Sequence, residues 1–317
     1  MEKFGSFSDQ ASGVRPFIPI ENKMSSGKCT LVYVLGLLKF ALAIPSLVTM
    51  WINPLLFQFL PIWFIRNFII RFNHLLHGGF NMILTGNYYT PAVPTPLIKK
   101  IIEPQKWKRP NYGDVVFAPL NSFKDLIWMA FTMSPAFLIP IGEDLAVQYT
   151  LFPLILKLLF NKDLRNGQFK VKISDFIKQA KDKKKYPVVI FAECAPTNGT
   201  GLLKFAKIDC PIPEDTNIQI IGFKRQFEGV SPNRASGSLF KYILQTYGAL
   251  HEKATALVAL EKDVPRHEGR ITPEFVEKVR EVTGKLLHLP LLELDADTYV
   301  EYIRAYREKG KGKVKTQ

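Results

Sequence analysis

The chain has 317 residues, with 42 Lys and Arg against 28 Asp and Glu, so it carries a formal charge of +14 at pH 7; yet 47% of it is hydrophobic, including 24 Phe. Such a cationic surplus calls for an anionic partner: a nucleic acid, an anionic membrane or a phosphorylated substrate. The apolar content argues against nucleic acid and for a membrane. The length suits one large domain, or one and a half, with a sizeable core. The three cysteines, Cys29, Cys194 and Cys210, lack metal-ligand spacing and are odd in number, which points to a reducing, cytosol-facing compartment.

Residues 1–28 are polar and glycine-containing, with no secretory signal. They lead into "CTLVYVLGLLKFALAIPSLVTMWINPLLFQFLPIWFIRNFII", residues 29–70, charged only at Lys39 and Arg66. About 20 apolar residues cross a bilayer core, and this run holds about twice that. Proline removes a backbone donor and breaks helices. Asn53-Pro54 therefore divides the run, and the expectation is a membrane hairpin over 29–71 with helices at 30–51 and 54–70. Pro45 and Pro61 favour a kinked, shallow hairpin over two straight spans. Lys23 and Lys28 before it, and Arg66 and Arg71 after it, place both ends in the cytosol.

Residues 72–110 read as a connecting segment. His74 and His77 share a helix face, lack a third metal ligand, and read as interfacial histidines at a helix end. "TPAVPTPLIKK", with three prolines, reads as a linker or an irregular surface segment. From 111 to 309 strand and helix patterns alternate: strands at 112–120, 135–142, 186–193 and 216–225, helices at 125–133, 143–160, 174–185, 272–287 and 297–310. Ser174 and Thr272 read as N-caps, with Pro273 in the first helical position. This order argues an α/β domain built on a mostly parallel sheet flanked by helices. The basic tail, 310–317, reads as disordered.

The stretch "PVVIFAECAPTNGTGLLKF", residues 187–205, runs from a buried strand into a lone acid, Glu193, and then a polar turn. Strand ends in α/β sheets are where chemistry is commonly placed. Loop 194–199 is rich in turn formers that expose backbone N–H groups, a nest able to hold phosphate oxygens. Lys204, Lys207, Lys224 and Arg225 follow. An acid beside a nest and cations suits a phosphorylated head group with free hydroxyls. Asn198-Gly199-Thr200 is formally a glycosylation sequon, unused in a cytosol-facing domain.

"FAECAPTNGT" resembles the F-P-E-G-T-x-x-N-G loop of the glycerolipid acyltransferases, the lysophosphatidic acid acyltransferase superfamily. Phe191, Glu193 and Thr197-Asn198-Gly199 fall on it, while Ala192, Cys194 and Ala195 depart from it. The H-x-x-x-x-D motif of that family falls on "LNSFKD": Asp125 stands at the Asp position and Leu120 where the His belongs. The Met-Glu-Lys start, Gly13 and Pro16-Phe17-Ile18-Pro19 are similar to a fungal branch, the lysophosphatidic acid:oleoyl-CoA acyltransferases also linked to vacuolar sorting, which likewise lacks the His.

The resemblance implies the acyltransferase α/β fold behind a membrane hairpin. It implies transfer of an acyl group from acyl-CoA, as co-substrate and with no other cofactor, to a lysophospholipid, turning lysophosphatidic acid into phosphatidic acid. Glu193, Thr197, Asn198 and Gly199, with Asn121, Lys204 and Arg225, would hold the acceptor, and Asp125 would remain of the catalytic motif. The setting implied is the endoplasmic reticulum membrane and lipid droplets. Because Leu120 replaces the base, a catalytically degenerate, lipid-binding member is the alternative. A carboxylate such as Asp125 or Glu193 serves as base only where burial raises its pKa, and Cys194 as nucleophile would need an activating base.

Overall fold

A computed structural model of the protein describes residues 2–314 apart from 23, 58, 61, 98–104, 228, 230, 232 and 233. Two long apolar helices come first, α1 (Ser26–Phe57) and α2 (Trp63–Leu84). A short strand, β1 (Ala92–Thr95), precedes the body of the domain. Then follow β2 (Val115–Phe117), α3 (Phe123–Met133), β3 (Ala136–Gly142), β4 (Leu145–Tyr149), α4 (Leu151–Leu159), β5 (Lys170–Lys172), α5 (Ile173–Asp182) and β6 (Val188–Ile190). The chain ends with β7 (Cys210–Pro211), β8 (Ile218–Gln226), α6 (Leu239–Gly248), β9 (Lys253–Ala259), β10 (Arg270–Ile271), α7 (Pro273–Leu287) and α8 (Ala296–Val314).

Eight strands form one sheet in the order β1-β9-β8-β2-β6-β3-β4-β5. β8, β2, β6 and β3 are mutually parallel, β1 is parallel to β9, and the remaining neighbours are antiparallel. β7 and β10 make a separate two-stranded ribbon. The fold is thus α/β with a mostly parallel sheet flanked by helices. Period-two alternation explains the two faces. Val116 and Val189 point into one core with Leu126, Trp128 and Leu154. Val115, Phe117, Val188 and Ile190 point into the other with Ile177 and Val279. Strands covered on both sides read as continuous apolar runs, as β2 and β6 do.

Several expectations need correction. α1 runs unbroken through Pro45 and Pro54, so the turn of the hairpin falls between Phe57 and Trp63 and not at Asn53-Pro54. Asn53 Nδ2 instead donates to Asn73 Oδ1 of α2 at 2.9 Å, tying the helices together where a break was expected. α2 continues well past residue 70 and carries His74 and His77 inside it. The supposed helix 143–160 is strand β4 followed by α4, with Thr150 between them. The proline-rich "linker" contains β1, which tolerates Pro94 because it lies at the sheet edge. Ser174 does not cap α5: the Asp144 carboxylate, thirty residues earlier, accepts from both its N–H (2.8 Å) and its hydroxyl (2.7 Å). Thr272 does cap α7, its Oγ1 accepting from Phe275 N–H. α8 extends into the tail read as disordered, of which residues 315–317 lie outside the described residues.

The hairpin is held along its flank. A Cβ on Gly36 of α1 would sit 2.0 Å from the Leu244 carbonyl oxygen of α6, and one on Gly248 of α6 would sit 2.0 Å from that of Val32. Lys39 Nζ donates to the Ala249 carbonyl at 3.0 Å. Trp51 stacks on Phe152 of α4 with ring centroids 5.1 Å apart. On the far side Leu38, Leu42, Leu56, Phe64, Phe68 and Phe72 are more than half exposed. Among the described residues α1 is the one helix long and apolar enough to cross a membrane, by length and composition alone.

Candidate functional site

β2 and β6 are parallel neighbours, so the loops after them leave the same edge of the sheet. The first loop carries Asn121 and then Ser122, whose hydroxyl accepts from Lys124 N–H and starts α3. The second is the 191–199 stretch. The two are tied together: Asn121 Oδ1 accepts from Thr197 N–H at 3.2 Å and from Thr197 Oγ1 at 2.9 Å. Asn121, Asn198 and Gly199 then line one cavity of about 160 Å³ with Lys224 and Arg225, which come from the end of β8. Four residues expected from sequence to bind an acceptor, Asn121, Asn198, Gly199 and Arg225, therefore line one space, with Thr197 directly behind.

Two others lie elsewhere. Lys204 is half exposed and paired with Glu293 at 2.7 Å, away from the cavity lining. Glu193 is 1% exposed, and its Oε1 accepts from Leu203 N–H at 2.9 Å, which fixes the return of the loop. Burial pushes its carboxyl up to about 8, so it is largely protonated at neutral pH. Its expected role as a charged acceptor of substrate hydroxyls is corrected to that of a neutral internal brace. The nest is also filled from within. Asn198 N–H donates to the Pro16 carbonyl at 2.6 Å, and Asn198 Nδ2 to the carbonyls of Arg15 and Ile18, both at 2.8 Å. The N-terminal segment thus covers the loop and buries the sequon asparagine.

Asp125 sits in the first turn of α3, 1% exposed, and its Oδ1 accepts from Arg225 Nε at 3.1 Å and from a terminal guanidinium nitrogen at 2.5 Å. The same guanidinium donates to Glu252 Oε1 at 2.6 Å, and Glu252 Oε2 receives Lys124 Nζ at 2.5 Å. Lys124, Asp125, Arg225 and Glu252 form a buried, charge-balanced chain, which is how charges are accommodated away from water. Burial raises the Asp125 carboxyl, and Arg225 opposes that shift. Burial acts the same way on Glu252, but Lys124 and Arg225 outweigh it and hold that carboxyl below its ordinary value. Asp125, expected to be catalytic, is thus committed to Arg225. Leu120 is wholly buried in the core beside it.

Cys194 lies where the acyltransferase pattern has Gly, and its φ of 56° is the left-handed conformation that favours Gly. Its thiol is buried against the Pro140 carbonyl, 3.2 Å away, and burial pushes it up to about 12, so no thiolate nucleophile forms there. His74 and His77 are not a pair at the site: His77 Nδ1 lies 3.1 Å from Ser46 Oγ inside the hairpin. Among the described residues no group of three or more His, Cys, Asp or Glu is placed to hold a metal ion. Sequence reasoning missed Lys124 and Glu252. Adjacent opposite charges inside the apolar run 123–133 were the available signal, since buried charges need partners.

No family model matches the chain, and neither a curated protein nor a solved structure shows significant similarity to it.

Proposed function

We propose that the chain is a membrane-associated acyltransferase with the glycerolipid acyltransferase kind of α/β fold, transferring an acyl group from acyl-CoA to a lysophospholipid, lysophosphatidic acid giving phosphatidic acid. The observation that carries this reading is the Asn121–Thr197 tie. It joins the two motif-like segments, 76 residues apart, at one strand edge, beside a cavity that also carries Lys224 and Arg225. Lys224 there suits an acceptor phosphate, while the Arg225 guanidinium is already shared between Asp125 and Glu252. In the reaction the acceptor hydroxyl oxygen bonds to the thioester carbon, the carbon–sulfur bond breaks, and the hydroxyl proton ends on the CoA thiol. Among the described residues no histidine, aspartate or glutamate lines the cavity, so alignment of the two reactants would carry the rate.

The hairpin supports the membrane half of the proposal. α1 lies against α4 and α6 from Val32 to Trp51, about 30 Å, so it cannot stand across a bilayer without drawing those helices in with it. Its opposite face is apolar. The pair is therefore read as lying in one leaflet, which suits both the endoplasmic reticulum membrane and the monolayer of a lipid droplet, with the α/β domain on the cytosolic side.

A second reading, a lipid-binding protein without turnover, is favoured by one specific observation: Leu120 fills the position of the base, and Asp125 is neutralised by Arg225. Labelled acyl-CoA transfer by the purified full-length protein, with several lysolipid acceptors, separates the two. Transfer to lysophosphatidic acid supports the enzyme; binding of lysolipid without transfer supports the alternative.

A further inference from the structure

A second cavity, of about 300 Å³, lies at the opposite edge of the sheet, between the hairpin and the starts of β3 and β6. Met50, Ile70, Ala130, Phe137, Leu151 and Phe152 make its walls mostly apolar. From Asn121 to Ser134 the chain advances about 20 Å along α3, so this space is separate from the one beside Asn198 and Arg225. At its mouth stand Arg66 and Lys185, and the opening continues into a groove formed by Trp63, Arg66 and Lys183 to Lys185, with Asp182 as the acid in its lining. Burial, together with the neighbouring charges of Lys183 and Arg66, holds the Lys185 ammonium below its ordinary value. An anion at the mouth would relieve that crowding of cations. His74 lies in the cavity wall, 7% exposed, and neither of its ring nitrogens has a hydrogen-bond partner among the described residues. Buried polar atoms in folded proteins nearly always have one.

We propose that this cavity binds a single-chain phospholipid, with its phosphate between Arg66 and Lys185, its ester carbonyl accepting from the His74 ring and its chain against Met50, Leu151 and Phe152. The volume is at the lower end of the ~300–1,000 Å³ of ligand cavities, which gives room for one chain. Two cations at the mouth match a phosphate dianion better than a single carboxylate. The ester carbonyl meets the polar demand of His74, which a bare hydrocarbon chain would leave unmet. Trp63 lines the groove at the mouth and is exposed, and Phe64 and Phe68 carry the apolar outer face of α2 on from it, so a lipid can enter from a membrane surface. The proposal does not depend on acyl transfer, because occupancy is read by binding alone.

The test uses full-length protein in phosphatidylcholine nanodiscs and an acyl glycerophosphate carrying a diazirine near its chain end. Photolysis should label peptides containing Met50, Leu151 or Phe152, saturably. Ala130→Phe should block the labelling, and a joint Arg66→Glu and Lys185→Glu change should weaken it tenfold or more. That charge variant alters half-buried rim positions, so it decides the matter if Ala130→Phe does not fold. The fatty alcohol and the fatty acid with the same chain should label at a tenth of the level or less, and the ether-linked phosphate should bind more weakly than the ester in wild type but not in His74→Leu. Labels confined to the outer face, as at Leu38 and Phe68, or unchanged in the charge variant, would overturn the site. Equal labelling by the alcohol or the fatty acid would overturn the phosphate assignment, and equal ester and ether binding would overturn the contact with His74.

Discussion

Asn198 and Arg15 are hydrogen-bonded across 183 positions of sequence, the Asn198 amide donating to the Arg15 carbonyl at 2.8 Å. With the matching bond to Ile18, this contact holds the N-terminal segment over the loop at the candidate site. Asn198→Ala should remove both side-chain bonds and strand two carbonyls, at a cost of about 1–3 kcal/mol. Amide hydrogen exchange should then quicken over residues 14–20 well before the sheet responds. Unchanged exchange there would mean that the ties left in the variant, the backbone bond from residue 198 to Pro16, that from Ser236 to Phe17 and the buried Phe17 ring, anchor the segment without the amide.

Arg225→Met should be among the most destabilising single changes. It leaves Asp125 and Glu252 in the interior with only Lys124 to balance them, and breaking a buried ionic group in this way costs about 3–5 kcal/mol. Adding Asp125→Asn should restore part of the loss, because the surviving Lys124–Glu252 pair is neutral. Denaturant unfolding of the single and double variants measures both effects.

Two buried acids should give pH dependences of opposite sign. Glu193 has a folded value near 8 against an ordinary 4.5, so between those limits the folded state holds the extra proton and stability falls as pH rises. Glu193→Gln carries no such proton, so its stability relative to wild type should grow from pH 5 to pH 8, by on the order of 3 kcal/mol. Glu252 is depressed below its ordinary 4.5, and its contribution is present above that value and lost as the pH falls through the folded one. Thermal melts from pH 3 to pH 8 for wild type, Glu193→Gln and Glu252→Gln separate the two groups.

Leu120→His, which writes the missing motif residue back, should not raise acyl transfer. The position is wholly buried, and Asp125, which would have to orient the imidazole, is held by Arg225. The expected result is a loss of about 1–3 kcal/mol from burying a polar ring without a partner, with a transfer rate no higher than wild type. A gain of tenfold or more would show that Asp125 can leave Arg225 during turnover.

Changing Leu38, Leu42, Phe68 and Phe72 together to Ser should abolish flotation with vesicles while leaving the melting temperature nearly unchanged. All four are more than half exposed, so little folding energy depends on them, whereas each apolar side chain returned to water forgoes about 1.5–3 kcal/mol of transfer energy. Loss of folding in place of flotation would mean that this face is covered by protein.

Local patterning carried much of the fold into the sequence. The apolar runs at β2 and β6, the capping Thr272 with Pro273, and the long apolar hairpin are all set by residues close together in the chain. The strand-end placement of Asn121 and of the 197–199 turn follows from the same patterns. What was hidden depends on distance. Glu252 meets Lys124 across 128 positions, and Pro16 reaches the loop from the far N-terminus. β1 was obscured because an edge strand can carry the prolines that elsewhere mark a linker. β4 was obscured because its apolar residues run on into those of α4, and a short apolar run does not reveal its own period.

The paired glycines, Gly36 and Gly248, let the backbones of α1 and α6 touch, each Cα facing a carbonyl of the other helix. That contact sets an angle as well as an attachment. With backbone against backbone at the crossing, and Phe40 packed on Tyr247 and Tyr33 accepting from Gln245 beside it, the two helices are held in one register, so the apolar face of the hairpin and the edge of the sheet carrying Asn121 keep a constant bearing to one another. Whatever surface the hairpin settles on, the edge carrying Asn121 and Asn198 stands above it at a fixed height and tilt. A bulky residue at position 36 would change that presentation before it changed anything at the cavity itself, so a variant with an untouched site could still fail to meet a substrate held in a lipid layer.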